Sequence, residues 1–369
     1  MAGVPYVGTA NTVKRQQLKY TIYDVAREAG VSAKTVSRVL NRKAGVGKET
    51  RARILDIMQK VGYHPHMGAR SLRGNERRGS IGVTMPAPLD VIPISQGMLL
   101  WLFAQLLRIF GPLGDYVCFD MNPHEANSHS DYGRGVWEQL FKACIIAGAL
   151  PVDDPVVQRI HESGVPYLAF GRLDRLPDCS SATVDYEEGA YISTKFLIDR
   201  GHRSIAMLKA FSGFQPGIER IRGYRHALDE AGIAYDERLV RSVNFGASNI
   251  ASVVHRLLVD RSVTALVDCS ATEDASSLRE GARRAGRVPG EDFEIVAWTY
   301  AHDAAVLREA SAHLWMPLRE ACTEGLEQLA AWTHGERAGP IKLLYRPILQ
   351  EAVAKGEVPR PGRIFDLFE

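Results

Sequence analysis

Four side chains with donors of different shapes, Lys34, Ser37, Arg38 and Asn41, recur within the stretch GVSAKTVSRVLN that runs from Gly30 to Asn41. At 100° per residue they gather on the side of a helix away from Val36, Val39 and Leu40. A short helix that is dry on one side and armed on the other suits a groove lined with hydrogen-bonding edges. An outward Arg38 can donate two bonds to guanine O6 and N7, Lys34 one or two, and the methyl of Ala33 can touch thymine. Ser32, Thr35 and Ser37 have the reach for phosphate oxygens, and Ser32 also opens a helix N-terminus.

Such a helix needs neighbours to hold its dry side. In TIYDVAREAG, Thr21 is a good N-cap, Asp24 occupies the capping-box position, and Ile22, Val25, Ala26 and Ala29 recur at helical spacing. Gly30 ends that helix and Ser32 caps the next, which runs through Leu40. A third helix from about Lys48 to Val61 sets Ile54, Ile57, Met58 and Val61 on one side. Helix, tight glycine turn, helix is the helix-turn-helix unit, whose second helix enters the major groove.

A helical hairpin with merely solvated charges shows the same pattern, and charge segregation separates the two readings. Residues 1–78 hold sixteen Lys or Arg against five Asp or Glu, a balance of +11, while the rest of the chain carries −9 and the whole only +2. A basic head on an acidic body points to a polyanionic partner, double-stranded DNA.

The chain has 369 residues, 46% hydrophobic and 24% charged, which implies two or three globular domains. No apolar signal core opens it, so a cytoplasmic protein is expected. The longest apolar run, MLLWLFAQLLRIF, is broken by Gln105 and Arg108 and is too short for a bilayer. Cys118, Cys144, Cys179, Cys269 and Cys322 are scattered, without CxxC or a His cluster, so neither a disulfide frame nor a metal site is expected. AGVGKET is not a phosphate loop: Glu49 follows Lys48 where Ser or Thr is required, and Arg42 replaces the leading glycine.

Residues 1–20 lack periodicity and read as a flexible basic arm. After KVGYHPH, Pro65 blocks helix continuation, and MGARSLRGNERRG has Ala69 and Leu72 three apart, flanked by Arg70 and Arg73. Alone this segment would be a basic linker, since short isolated helices are marginal. On DNA, beside a second copy, it could fold and wedge Leu72 into the minor groove.

YTIYDVAREAGVSAKTVSRVLN, followed at fixed distance by VGYHPHMGARSLRG, closely resembles the lactose-repressor/galactose-repressor family of bacterial transcription regulators. The resemblance is dense over residues 20–75. It implies a homodimer whose paired hinge helices, carrying Ala69 and Arg70, wedge Leu72 into the centre of a near-palindromic operator. By position Ala33, Lys34 and Arg38 then look like base readers, and Thr21, Ser32, Thr35, Ser37, Asn41 and Tyr63 like phosphate contacts. His66 and Gly68 depart from the family pattern.

From Ser80 the pattern changes to short β-rich runs between helix-like stretches. SIGVTMP, YVCFDM, ACIIAGAL and VPYLAFGR form one set; SATVDY, SIAMLKA, RLVRSVNF, VTALVDC and FEIVAW form a second. Alternation of this kind means an α/β body of doubly wound parallel sheets, with ligands at the strand C-terminal ends. No GxGxxG follows a strand, and no GxSxG, HExxH or nucleophile-linked carboxylate pair occurs, so no nucleotide cofactor and no enzymatic activity are expected.

The family resemblance extends to TVDYEEGAYISTKFLIDRGHRSIAML, GIERIRGYRHALDEAGI and RVPGEDFEIVAW. It implies two lobes of periplasmic-binding-protein type joined by three crossovers and closing on a small molecule, most simply a carbohydrate. Arg220 falls on the family's effector-binding arginine, and a guanidinium fork suits paired hydroxyls or a carboxylate. Phe245 and Trp298 fall where relatives place aromatic rings, and Arg172 in AFGR ends a strand at the cleft, with an inter-lobe salt bridge as its alternative role. Where the family has Asn-Asp after TALVDC this chain has Ser270-Ala271-Thr272, leaving Asp268 and Asp274 as the nearby acids. The expected organisation is an arm (1–20), a DNA-binding head (21–65), a hinge and linker (66–79), a two-lobed effector-binding body (80–356) and a tail (357–369). The expected function is ligand-controlled repression by a dimer, for PGRIFDLFE is too short for a tetramer-forming heptad. Ligand-independent regulation, corepression and sugar transport are the alternatives.

Overall fold

The computed structural model describes residues 21–40, 44–61, 80–86, 96–120, 131–210, 213–243, 249–270, 275–300 and 309–351. The chain divides into two compact units, Met1–Arg78 and Gly79–Glu369.

In the first unit, α1 (Ile22–Glu28), α2 (Ala33–Leu40) and α3 (Lys48–Val61) close on one core. Thr21 and Asp24 cap α1 reciprocally: the Thr21 amide donates to Asp24 Oδ2 at 2.8 Å and the Asp24 amide to Thr21 Oγ1 at 3.4 Å. Gly30 turns the chain at φ +62°, a conformation that Cβ disfavours in other residues. Ser32 then caps α2 through its hydroxyl, which accepts from the Thr35 amide at 3.1 Å. Val25, Ala26, Ala29, Val36, Val39 and Ile54 are buried together.

The second unit holds two six-stranded sheets. The first contains β1 (Ser80–Thr84), β2 (Val117–Phe119), β3 (Phe141–Ile146), β4 (Tyr167–Ala169), β5 (Ser181–Val184) and β11 (Lys342–Tyr345), in the order β11-β5-β4-β3-β1-β2. The second contains β6 (Ile205–Lys209), β7 (Val240–Ser242), β8 (Ala265–Cys269), β9 (Glu294–Thr299), β10 (Ala312–Trp315) and β12 (Ile348–Glu351), in the order β12-β10-β9-β8-β6-β7. Every pairing is parallel except that of β12 with β10. SATVDY, grouped by position with the second set, therefore belongs to the first sheet as β5. β10, β11 and β12 lie outside the nine runs that the sequence marks.

Strand alternation splits each sheet into two buried faces. In the first, Ile81, Val83, Ala143 and Ile145 pack towards α4 (Gln96–Phe110), while Cys144, Ile146, Tyr167 and Ala169 pack towards α5 (Arg134–Trp137) and α6 (Pro155–Glu162). In the second, Met207, Val267 and Trp298 face α7 (Tyr186–Asp199) and α8 (Gln215–Glu230), while Leu208, Leu266 and Ala297 face α9 (Ile250–Leu258) and α10 (Ser276–Arg284). Helices on both faces explain why the strands read as continuous apolar runs. Among the described residues the chain passes between the sheets three times: from β5 into α7, from β10 into α11 (Leu318–Thr333), and from β11 to β12.

Among the described residues, no helix is long and apolar enough to cross a membrane, and no group of three His, Cys, Asp or Glu could hold a metal ion.

Candidate functional site

On α2 the apolar spacing decides which side chains remain available. Val36 and Val39 are buried, and Lys34 and Arg38 are exposed on the other side. Ser32 is exposed and its hydroxyl lies 2.9 Å from that of Thr35, so the two form one polar corner at the start of the helix. Ser37 is half-buried. Ala33 is likewise half-buried, with one side against the three-helix core. The reason is that Ala33, Val36 and Leu40 share one helical stripe at i, i+3 and i+7. Thr21 is exposed, but its hydroxyl is engaged by Asp24 at 2.7 Å. Asn41, Tyr63, Ala69, Arg70 and Leu72 lie outside the described residues.

In the second unit the lobes meet beside the strand C-terminal ends. Leu150 accepts from the Gln215 amide at 2.9 Å, and the Val152 amide donates to Gly213 at 3.3 Å, a short antiparallel latch in which Pro151 bridges Phe214. Trp101 and Phe170 pack against the cores of both lobes. Two arginines also span the junction. Arg172 donates from Nε to Glu219 Oε1 at 2.9 Å and lies 3.5 Å from Asp185. Arg222, on α8, pairs with Asp174 and donates to Glu187 at 2.8 Å. Glu219 is 1% exposed, and its burial raises the carboxyl above the ordinary range despite Arg172. Arg172 is thus drawn between Glu219 and Asp185, the inter-lobe role, rather than standing open to a ligand.

Arg220 follows Glu219 on α8 and is fully buried. Its guanidinium lies 4.7 Å from the ring centre of Tyr186 and 5.1 Å from that of Trp298, and it donates to the Tyr300 hydroxyl at 3.1 Å. Tyr186 and Trp298 are themselves stacked at 6.4 Å, and the indole of Trp298 donates to Ser193 at 3.0 Å. Trp298 is therefore a buried wall behind the arginine, with no open face for a sugar ring.

Strand order locates the cleft. From β6 the chain winds first to β7 on one side and then to β8 on the other, and ligands in doubly wound sheets sit at that switch point. Lys209 ends β6 in register with Cys269 on β8. One residue earlier on β8, Asp268 accepts from the Ser270 amide at 3.0 Å and from its hydroxyl at 2.5 Å. Burial raises the Asp268 carboxyl and lowers the Lys209 ammonium, the latter helped by the charge of Arg220. Phe245 and Asp274 lie outside the described residues.

Lys209, Glu219, Tyr186 and Tyr300 were not singled out from sequence. Lys209 had a readable signal, a charge that ends the apolar run IAML.

Comparison with known proteins gives matches over both units. Residues 21–66 match the bacterial regulatory proteins of the lacI family, and residues 121–312 match the periplasmic binding proteins and sugar binding domain of the LacI family. Catabolite control protein A of Priestia megaterium is 24% identical over 326 residues, covering 86% of this chain and 94% of that protein. Among solved structures, a complex of the transcriptional regulator CelR with cellobiose is 27% identical with a TM-score of 0.59, over 90% of this chain and 98% of that one. A lac repressor dimer bound to operator and the anti-inducer ONPF is 20% identical with a TM-score of 0.71, over 91% and 99%.

Proposed function

The chain belongs to the LacI family of bacterial regulatory proteins, and from that premise we propose that it is a repressor, binding a near-palindromic operator as a homodimer and controlled by a small molecule between its lobes. The relatives matched are regulators of transcription rather than enzymes. The observation that carries the reading is the split of α2, with Val36 and Val39 locked in the core while Lys34 and Arg38 stay exposed. In this role Arg38 and Lys34 read base edges, and Ser32 with Thr35 positions the helix on phosphates.

The dimer reading is supported by α4. Leu100, Phe103 and Leu107 follow one another at i, i+3 and i+7 and are all exposed, an apolar stripe suited to a second copy of the chain. The related lac repressor is a dimer on its operator.

The effector reading is supported by the switch-point cleft with Arg220 pre-positioned in an aromatic box. A sugar or sugar derivative is the class expected, as cellobiose is for the related CelR. Such a ligand, touching both lobes, favours one lobe arrangement over another. A coupling of about 1–3 kcal/mol between cleft and operator corresponds to roughly 5- to 150-fold in affinity.

Selection of bound fragments from random DNA, repeated with and without a panel of sugars, tests the whole reading. A palindrome whose enrichment changes with one sugar is the expected result. No preference over bulk duplex at moderate salt would overturn DNA recognition; a palindrome indifferent to every small molecule would leave a ligand-independent regulator.

A further inference from the structure

We propose that the loops at the strand C-terminal ends of the two lobes form a polar clasp, which closes the lobes on each other with the chain's own groups and is released in exchange for water. The proposal goes beyond the effector reading, since it concerns the motion of the lobes whatever ligand lies between them.

Every contact of the clasp comes from a segment that follows a strand. In the first lobe these are residues 147–152 after β3 and 170–174 after β4; in the second they are residues 213–215 after β6 and the first two turns of α8. Gln215, Glu219 and Arg222 recur at i, i+4 and i+7, so one polar stripe of α8 meets the first lobe. The Gln215 amide donates to Leu150, Glu219 accepts from Arg172, and Arg222 donates to Asp174. The apolar side of the same helix, with Tyr224, Ala227 and Leu228, stays in the second-lobe core.

The crossings between the lobes use β5 and β11 at one end of the first sheet, and β10 and β12 at one end of the second. Counted from those ends, β3 is fourth and β6 is fifth. The backbone bridge between Pro151 and Phe214 therefore joins the lobes away from the crossings, where it resists opening about them.

Ionic groups make this seam releasable. Arg222 and Asp174 keep 39% and 47% of their side-chain surface exposed. Parting such a pair exchanges one partner for water and shifts an equilibrium by about twofold to fivefold. Glu219 is 1% exposed, and opening returns to its carboxylate the water that closure removes, which offsets the loss of Arg172. A clasp balanced in this way lets a ligand with a small differential affinity move the lobes.

Distances between nitroxide labels on the two lobes of the full-length chain test the proposal. The labels sit on Glu162→Cys and Asp229→Cys, both exposed positions, in a Cys118→Ser background whose remaining cysteines are buried. An excess of unlabelled chain keeps one labelled copy in each dimer. One short distance is expected to predominate in about 0.1 M salt, and about 1 M salt is expected to add a longer one as the seam is screened. Asp174→Lys sets a cation against Arg222 and Arg172, and is expected to raise the long-distance fraction about fivefold. Asp174→Lys/Arg222→Gln, in which the new ammonium can meet Glu187 directly, is expected to take back most of that rise.

An unchanged distance distribution in Asp174→Lys, a rise that the second substitution fails to repair, or indifference to salt would overturn the proposal. Where Asp174→Lys loses its cooperative melt, Asp174→Asn carries the same decision: a rise of about twofold is expected, and no rise overturns the clasp. No effector enters these measurements, so the effector reading stands or falls separately on the sugar panel.

Discussion

Arg172 of the first lobe donates to Glu219 of the second across 2.9 Å, and it is the partner that keeps a carboxylate tolerable in a dry junction. Breaking a buried pair from one side strands the other charge, which costs about 3–5 kcal/mol when both are buried. Arg172 is only half-buried, so Arg172→Met is expected to cost about 2–3 kcal/mol in urea unfolding. The double variant Arg172→Met/Glu219→Leu should recover at least half of that. A loss below about 0.5 kcal/mol in the single variant, the scale of an ordinary surface substitution, would sink the strut role.

The same carboxylate makes a pH prediction. Burial raises the folded Glu219 carboxyl above its ordinary 4.5. Below that value both folded and unfolded forms are protonated, and the contribution to stability is fully present. As pH rises towards the folded value the unfolded chain ionises first, so stability is lost. Wild type should therefore lose stability relative to Glu219→Gln as pH rises from about 4.5 towards neutral. Denaturant melts of both chains at each pH measure the difference, and a gap moving in favour of the wild type would mean that Arg172 outweighs burial.

Gly223, one turn beyond Arg220, sets how closely α8 approaches α7. A Cβ there would stand 1.9 Å from the backbone oxygen of Glu187, which cannot swing aside as a side-chain tip can. Gly223→Ala is expected to destabilise the body by about 3 kcal/mol and to weaken effector binding by shifting Arg220. Thermal melts and ligand titration measure both effects; unchanged melting would mean that the two helices part freely.

In the head, Arg38→Ala should cost about 1–3 kcal/mol of operator affinity and relax the preference at one base pair. Lys34→Ala should act similarly if it reads a base, or lower all sequences uniformly and flatten the salt slope by about one if it meets phosphate. Fluorescence anisotropy on operator variants over a salt series separates these outcomes. Val36→Ala, by contrast, should unfold the head.

Leu107→Asp places a charge in the middle of the exposed α4 stripe. It should leave the fold of the body intact, since Leu107 is solvent-facing in the single chain, while shifting sedimentation from dimer to monomer. Operator affinity should fall with it. A variant that stays dimeric would move the interface elsewhere.

The caps and stripes of the head were legible residue by residue because their causes are local. Thr21 with Asp24, the turn at Gly30, and the spacing of Val36 and Val39 all act within a few residues of one another. Ala33 is half-buried at the stripe edge, where a small apolar residue carries no strong preference for either side. In the body, nine strands could be read from their apolar runs, whereas AHLW, KLLY and ILQE are four residues each, and KLLY takes its partner SATV from far back in the sequence.

By itself the sequence determined the helix-turn-helix head, the alternating α/β body and the basic reading surface, since propensity, capping and periodicity act over neighbouring residues. Only the tertiary structure decided that β5 joins the first sheet, that Arg172 meets Glu219, and that Arg220 lies buried beside Tyr186, Trp298 and Tyr300. A side-chain pattern states which face of an element is dry, not which distant element will cover it. That choice depends on how three chain crossings bring the two sheets together.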